Sequence, residues 1–170
     1  AEMEEWLANG YVDLCFFSLI RSGPFEYIDL VDDSMMVVLY PGHPLAKKRA
    51  IALEDLKDEP LLLATNPRGL DYDVAKVLSE VSFTPRIEAT SNLDHIIFSM
   101  VQHHLGISIE AALMLTDKED AAVLRPFDPP QSRRLVMAAR SFRTLSPAAN
   151  QFVSHTKAAL RKMEPDRILF

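Results

Sequence analysis

Apolar residues recur along this chain either as short continuous runs or as stripes spaced by three and four, and their order predicts strands alternating with helices. Met3, Trp6 and Leu7 share one helical face and Asn9-Gly10 supplies a left-handed stop, so the chain opens on the last turns of an amphipathic helix. Tyr11 to Ser18 follows as a short buried strand. The stretch from Ile28 to Tyr40 organises what comes after. From Met35 to Tyr40 it is continuously apolar, with Asp32-Asp33-Ser34 before it and Pro41-Gly42 behind, which predicts a strand buried on both faces. A run of about thirteen residues spans roughly 43 Å at ~3.3 Å per residue, long enough to thread two packed units.

Beyond the turn at Pro41 to Pro44, Leu53 to Leu56 predicts a short helical piece and Pro60 to Thr65 a buried strand. Asn66-Pro67-Arg68-Gly69 breaks that strand, and Val74, Val77, Leu78 and Val81 mark the next helix. A strand over Arg86 to Thr90 leads into Ser91-Asn92, where Ser91 and Asp94 have the spacing of a capping box. The helix behind carries Leu93, Ile96, Ile97, Met100, Val101 and Leu105 on one stripe, and Gly106 is expected to end it. Ile107 to Ile109 predicts a strand, Ala111 to Leu115 a helical turn, Ala121 to Leu124 a short strand and Leu135 to Arg140 the last one. Ser146-Pro147 then caps a terminal helix striped by Ala149, Phe152, Val153, Thr156 and Leu160. This alternation predicts an α/β fold with mostly parallel sheets.

Composition narrows the function classes. A chain of 170 residues with 48% hydrophobic content can bury a proper core. The net charge is −6, and the basic residues are scattered as Lys47-Lys48-Arg49, Arg133-Arg134 and Arg161-Lys162, which read as solvated faces rather than a phosphate-neutralising patch. No apolar run approaches the ~20 residues of a membrane helix, and the acidic first residues are unlike a signal peptide, so the expected compartment is the cytoplasm. Cys15 lies within Leu14-Cys-Phe-Phe17 and is expected to be a buried, inert thiol.

Chemistry is sparse. Five glycines cannot spell a dinucleotide fingerprint or phosphate loop, the histidines lack ligand spacing, and no nucleophile elbow exists. No cofactor, metal or catalytic residue is therefore expected. Asp32-Asp33 and Glu54-Asp55 read as turn and helix-start residues. What remains is a set of small polar residues at strand ends, where open α/β sheets place ligand crevices: Ser18, then Thr65 and Asn66, then Thr90, Ser91 and Asn92. Hydroxyls and amides beside helix N–H groups suit a small polar or anionic ligand. Capping or turn duty explains each of them equally well.

In order, Leu7-x-x-Gly10-x-x-Asp13-Leu14, the long apolar strand into Gly42-His43-Pro44-Leu45-Ala46, Leu53-x-Asp55-Leu56, and Met100-Val101 before Leu105-Gly106-Ile107-Ser108 resemble the effector-binding region of LysR-type transcriptional regulators. With Arg134-Leu135 and Ser146-Pro147-Ala148 the likeness covers nearly the whole chain, although His103-His104 stand where a small residue and a glycine are usual. The resemblance implies a periplasmic-binding-protein-like fold of two α/β subdomains linked by two crossover strands. Residues 1–37 with 139–170 would form a first, incomplete subdomain, and residues 38–138 the second. Met35 to Tyr40 would be the outgoing crossover and Arg134 to Arg140 the return; if both lay within a single sheet, the two-lobe reading would fail. A small-molecule effector would lie between the subdomains, held by Ser18, Thr65, Asn66, Thr90, Ser91 and Asn92. The resemblance further implies a homodimer or tetramer, DNA contact only through a helix-turn-helix domain missing at the N-terminus, no membrane and no catalysis. An N-terminally truncated first subdomain would expose apolar surface around Leu14 to Phe17, with self-association, swapping or a missing companion segment as the consequence. A solute-binding protein of a transport system is the alternative on the same fold.

Overall fold

The computed structural model describes residues 2–67, 69–116 and 122–162. In chain order its helices and strands are α1 (Glu2–Ala8), β1 (Cys15–Ser18), β2 (Glu26–Leu39), β3 (Leu61–Asn66), β4 (Gly69–Leu70), α2 (Tyr72–Ser79), β5 (Ile87–Ser91), α3 (Asp94–Gln102), β6 (Ser108–Ala111), β7 (Val123–Pro126), β8 (Ser132–Ala139) and α4 (Pro147–Leu160). Arg68, in the expected turn, and Ala121, at the start of an expected strand, lie outside the described residues. The chain divides into two compact units: Ala1–Asp33 with Arg133–Phe170 form unit 1, and Ser34–Ser132 form unit 2.

In unit 1, α1 buries Leu7 completely while Met3 and Trp6 stay roughly two-fifths exposed. Gly10 takes φ 74°, and Tyr11 N–H donates back to the Trp6 carbonyl at 2.9 Å, so the helix stops where the sequence expected. β1 pairs antiparallel with β8, from Cys15 opposite Ala138 to Ser18 opposite Leu135. It is shorter than expected, beginning at Cys15 rather than Tyr11. Leu7, Cys15 and Ala138 form the local core, with Val12, Phe17, Phe25 and Tyr27 against it. Burial pushes the Cys15 thiol up in pKa, and its Sγ donates to the Met3 carbonyl at 3.3 Å. Within Leu14 to Phe17 the exposed apolar side chain is Phe16, which meets the likewise exposed Phe152 of α4 edge to face at 6.0 Å; Leu14 and Phe17 are half-buried, and Tyr11 and Ile20 on either side are exposed. Ser146 caps α4 as read from the sequence, its Oγ accepting from Ala149 N–H at 3.2 Å.

In unit 2, β3 pairs parallel with β5 and antiparallel with the two-residue β4. Alternation along β3 and β2 divides the core in two. Val37, Leu39, Leu61 and Leu63 face Val74 and Val77 of α2, while Val38 and Leu62 face Ile97 and Val101 of α3. The second half of β2 pairs antiparallel with both β6 and β7.

Three expectations are corrected here. The ladders are mainly antiparallel, with β3–β5 the parallel pairing between named strands among the described residues. The two crossover strands are neighbours, in the order β1-β8-β2-β6 with β7 also on β2. Two units persist within this shared strand order because the chain divides inside β2: its 14 residues run to Asp33 in unit 1 and from Ser34 in unit 2. Gly106 does not end α3: His104, at φ 60°, takes the left-handed position, with its ring stacked on Tyr40 at 4.1 Å. Gly106 is needed for another reason, since a Cβ there would lie 2.3 Å from the Pro60 carbonyl oxygen.

Among the described residues no helix is long and apolar enough to cross a membrane, and no group of three or more His, Cys, Asp or Glu could hold a metal ion.

Candidate functional site

The parallel pairing of β3 with β5 sets Leu63 opposite Thr90 and Ala64 opposite Ser91. The C-terminal ends of both strands therefore meet at one edge of unit 2, which gathers Thr65, Asn66, Thr90, Ser91 and Asn92. Strand alternation sorts them between faces. Thr65 follows Leu61 and Leu63 on the α2 side, and Thr90 lies opposite Leu63 on that same side. Asn66 and Ser91 fall on the α3 side, with Leu62 and Ala89. Ser18 ends β1 in unit 1, half-buried, opposite Leu135.

Hydrogen bonds distinguish capping from spare capacity. Asp71 caps α2, its Oδ1 accepting from Asp73 N–H at 2.9 Å, so that helix start is already occupied by a carboxylate. Asn66 Nδ2 donates to the Leu70 carbonyl at 3.4 Å and holds the turn between β3 and β4. Ser91 Oγ accepts from Leu93 N–H at 3.1 Å, closing a local turn one step before the helix. The expected capping box is thus corrected: Leu93 is the N-cap of α3 and supplies no side-chain acceptor. β5 runs through Ser91, leaving Leu93 as the residue that enters the helix. The side chains of Thr65, Thr90 and Asn92 make no hydrogen bond among the described residues, and Thr90 and Asn92 are exposed. The edge thus offers two hydroxyls on the α2 face, and one amide next to a helix start that has no side-chain cap.

A small pocket lies within unit 2 between α3, β6 and the helical turn Ala112–Leu115. Its surface is almost wholly apolar, with Ile97, Phe98 and Met114 among its walls, and Asp94, Ser108 and Glu110 also line it. Ser108 is buried and donates to Glu110 Oε1 at 3.2 Å, which holds that carboxylate in place. None of the six residues expected from the sequence lines this pocket. The signal in the sequence is Glu110, an acid between the apolar Ile109 and Ala111 of β6.

Sequence reasoning also misread Asp33 and Arg133. Asp33 lies within β2 rather than in a turn and is fully buried, and Arg133 is not on a solvated face. Arg133 Nε and Nη2 each donate to Asp33 Oδ2 at 2.9 Å across 100 residues of sequence. Alternation carries the signal: an acid between Val31 and Met35, both buried, must sit in the core and needs a partner.

Comparison with known proteins completes the picture. Residues 1–161 match the family described as LysR substrate binding domain. The uncharacterized HTH-type transcriptional regulator YvbU of Bacillus subtilis is 29% identical over 158 residues, which are 92% of this chain and 53% of that protein. The chain thus spans about half the length of the curated relatives it matches. The CcmR regulatory domain of Synechocystis PCC6803 in complex with 2-PG superposes with a TM-score of 0.82 at 20% identity, covering 95% of this chain and 80% of that one. The effector binding domain of QuiR in complex with shikimate superposes with a TM-score of 0.77 at 23% identity, covering 95% and 78%. The fold is accordingly the periplasmic-binding-protein-like α/β fold of LysR regulatory domains. With matching motifs, matching fold and a family match across almost its whole length, the chain belongs to the LysR substrate binding domain family.

Proposed function

We propose that this chain is the effector-sensing and oligomerising portion of a LysR-type transcriptional regulator, which contacts DNA through a helix-turn-helix domain outside these 170 residues. One observation carries the reading: in a chain of this family, Thr65, Thr90 and Asn92 keep unspent hydrogen-bonding capacity at the edge of unit 2 where β3 and β5 end. The effector is a small polar or anionic metabolite contacted by Ser18, Thr65, Asn66, Thr90, Ser91 and Asn92. Solved relatives carrying 2-PG and shikimate support small ligands as the class. The regulator is a homodimer or tetramer acting in the cytoplasm, where its DNA is, and it is a sensor rather than an enzyme. The effector acts by favouring one conformation of the regulator, to the extent that it binds the two conformations differently.

A thermal-shift screen of the chain against small carboxylates and aromatic acids, shikimate among them, tests this. A true effector at one hundred times its Kd adds about 2.7 kcal/mol, worth roughly 5–10 °C for a chain of this size. Thr65→Ala and Asn92→Ala should each shrink that shift. No shift with any compound, or a shift that both variants retain in full, refutes the site.

A further inference from the structure

The chain passes between units at two peptide links, Asp33–Ser34 on β2 and Ser132–Arg133 on β8. Polar contacts hold the return link on each side. On the unit 2 side, Gln131, only 8% exposed, donates through Nε2 to Glu80 Oε2 at 3.0 Å. Lys76 Nζ donates to the Ser132 carbonyl at 3.4 Å, and the Gln131 carbonyl accepts from Met35 N–H at 2.8 Å. On the unit 1 side, the next residue is Arg133, held on buried Asp33. Lys76 and Glu80 are the last turn and C-cap of α2.

The other end of α2 starts at the candidate site. Thr65 pairs with Leu70 and Asn66 with Gly69, and Asp71 N–H donates to the Ala64 carbonyl at 2.9 Å before Asp71 caps the helix. A helix of 8 residues is about 12 Å of stiff rod. Its N-terminus is therefore pinned to the strand end bearing Thr65 and Asn66, and its C-terminus to the two residues that precede the return link.

We infer that α2 is a transmitting element: a displacement at Thr65 and Asn66 moves Glu80 and Lys76 together, and Gln131 converts that movement into a change in β8 at Arg133. Gln131 is a positioning residue in this scheme and touches no ligand. The regulatory meaning rests on Thr65 and Asn66 as ligand contacts. The mechanical claim does not, so it is tested without a ligand.

The test is amide hydrogen exchange on the whole chain, comparing wild type, Gln131→Glu and the swapped pair Glu80→Gln with Gln131→Glu. Gln131→Glu sets two carboxylates against each other, and the swap restores one donor facing one acceptor. Losing a hydrogen bond worth about 1 kcal/mol quickens exchange roughly fivefold. The expected result is that quickening at residues 133–136 of β8 and 29–33 of β2, to which the Glu80 side chain is not hydrogen-bonded, with recovery in the swap. Changes confined to α2 and residues 131–132, or no recovery in the swap, overturn the inference. If Gln131→Glu loses protection throughout the chain, Glu80→Ala at an exposed position decides by the same reading: faster exchange at 133–136 supports transmission, and wild-type rates there overturn it.

Discussion

Replacing Gly106 by alanine should destabilise the chain far more than its place after a helix suggests. The added Cβ would lie 2.3 Å from the Pro60 carbonyl oxygen and 3.0 Å from the Leu62 side chain. A relaxed C···O contact is about 3.3 Å, so the backbones must separate by roughly 1 Å. That carbonyl accepts from Ile107 N–H at 2.9 Å, and the Ile107 carbonyl accepts from Leu62 N–H at 2.8 Å, so neither bond survives the shift intact. Overpacking costs about 1–3 kcal/mol and two weakened buried hydrogen bonds about 1 kcal/mol each. The stiffer unfolded chain returns about 0.5–1 kcal/mol, leaving a net loss of roughly 2–4 kcal/mol. Urea unfolding followed by circular dichroism should show a lower midpoint at unchanged slope, with Tm falling on the order of 10 °C. Gly106→Asn separates this account from a helix stop, because a left-handed site tolerates asparagine whereas a steric close approach is harmed further. A loss under about 1 kcal/mol in the alanine variant, or a milder one in the asparagine variant, refutes the reasoning.

Two other perturbations follow from buried polar groups. Asp33→Ala removes the carboxylate that two Arg133 nitrogens share and should cost about 3–5 kcal/mol, while Asp33→Ala with Arg133→Met should recover at least ~1 kcal/mol of it in denaturant titrations; a double variant no better than the single one would show that the pair is not the cause. The Cys15 thiol is held above its unfolded pKa by burial, so the folded chain keeps its proton longer than the unfolded one. Stability from this group is full below the unfolded thiol value and is lost as pH rises through it towards the higher folded value, and Cys15→Ala should flatten that alkaline decline. An identical slope in the variant would mean that other groups produce it.

The family could be read from local spelling, because its motifs are turns and caps whose residue types are dictated by backbone conformation. Gly10 with its positive φ, the His-Pro-Leu-Ala turn that His43 caps through Nδ1 at 3.1 Å from Leu45 N–H, and Ser146 at the start of α4 are of this kind. The candidate residues could also be located at strand ends, since hydrophobic runs mark where strands stop. Their separate duties could not. Spacing alone made Ser91 the cap of α3 and Gly106 its end, whereas the folded chain gives these positions to Leu93 and His104. The reason is that one or two residues of strand extension or helix fraying cost little locally and are decided by packing.

The sequence by itself determined which segments become strands and helices and to which family they belong, because hydrophobic period, caps and turns act within a few residues. Only the tertiary structure decided strand direction, the partnering of Asp33 with Arg133 across 100 residues, and the pressing of Gly106 against Pro60. Those outcomes depend on which distant groups arrive at the same place, and burial then makes each hydrogen bond, charge and methyl-sized gap there decisive.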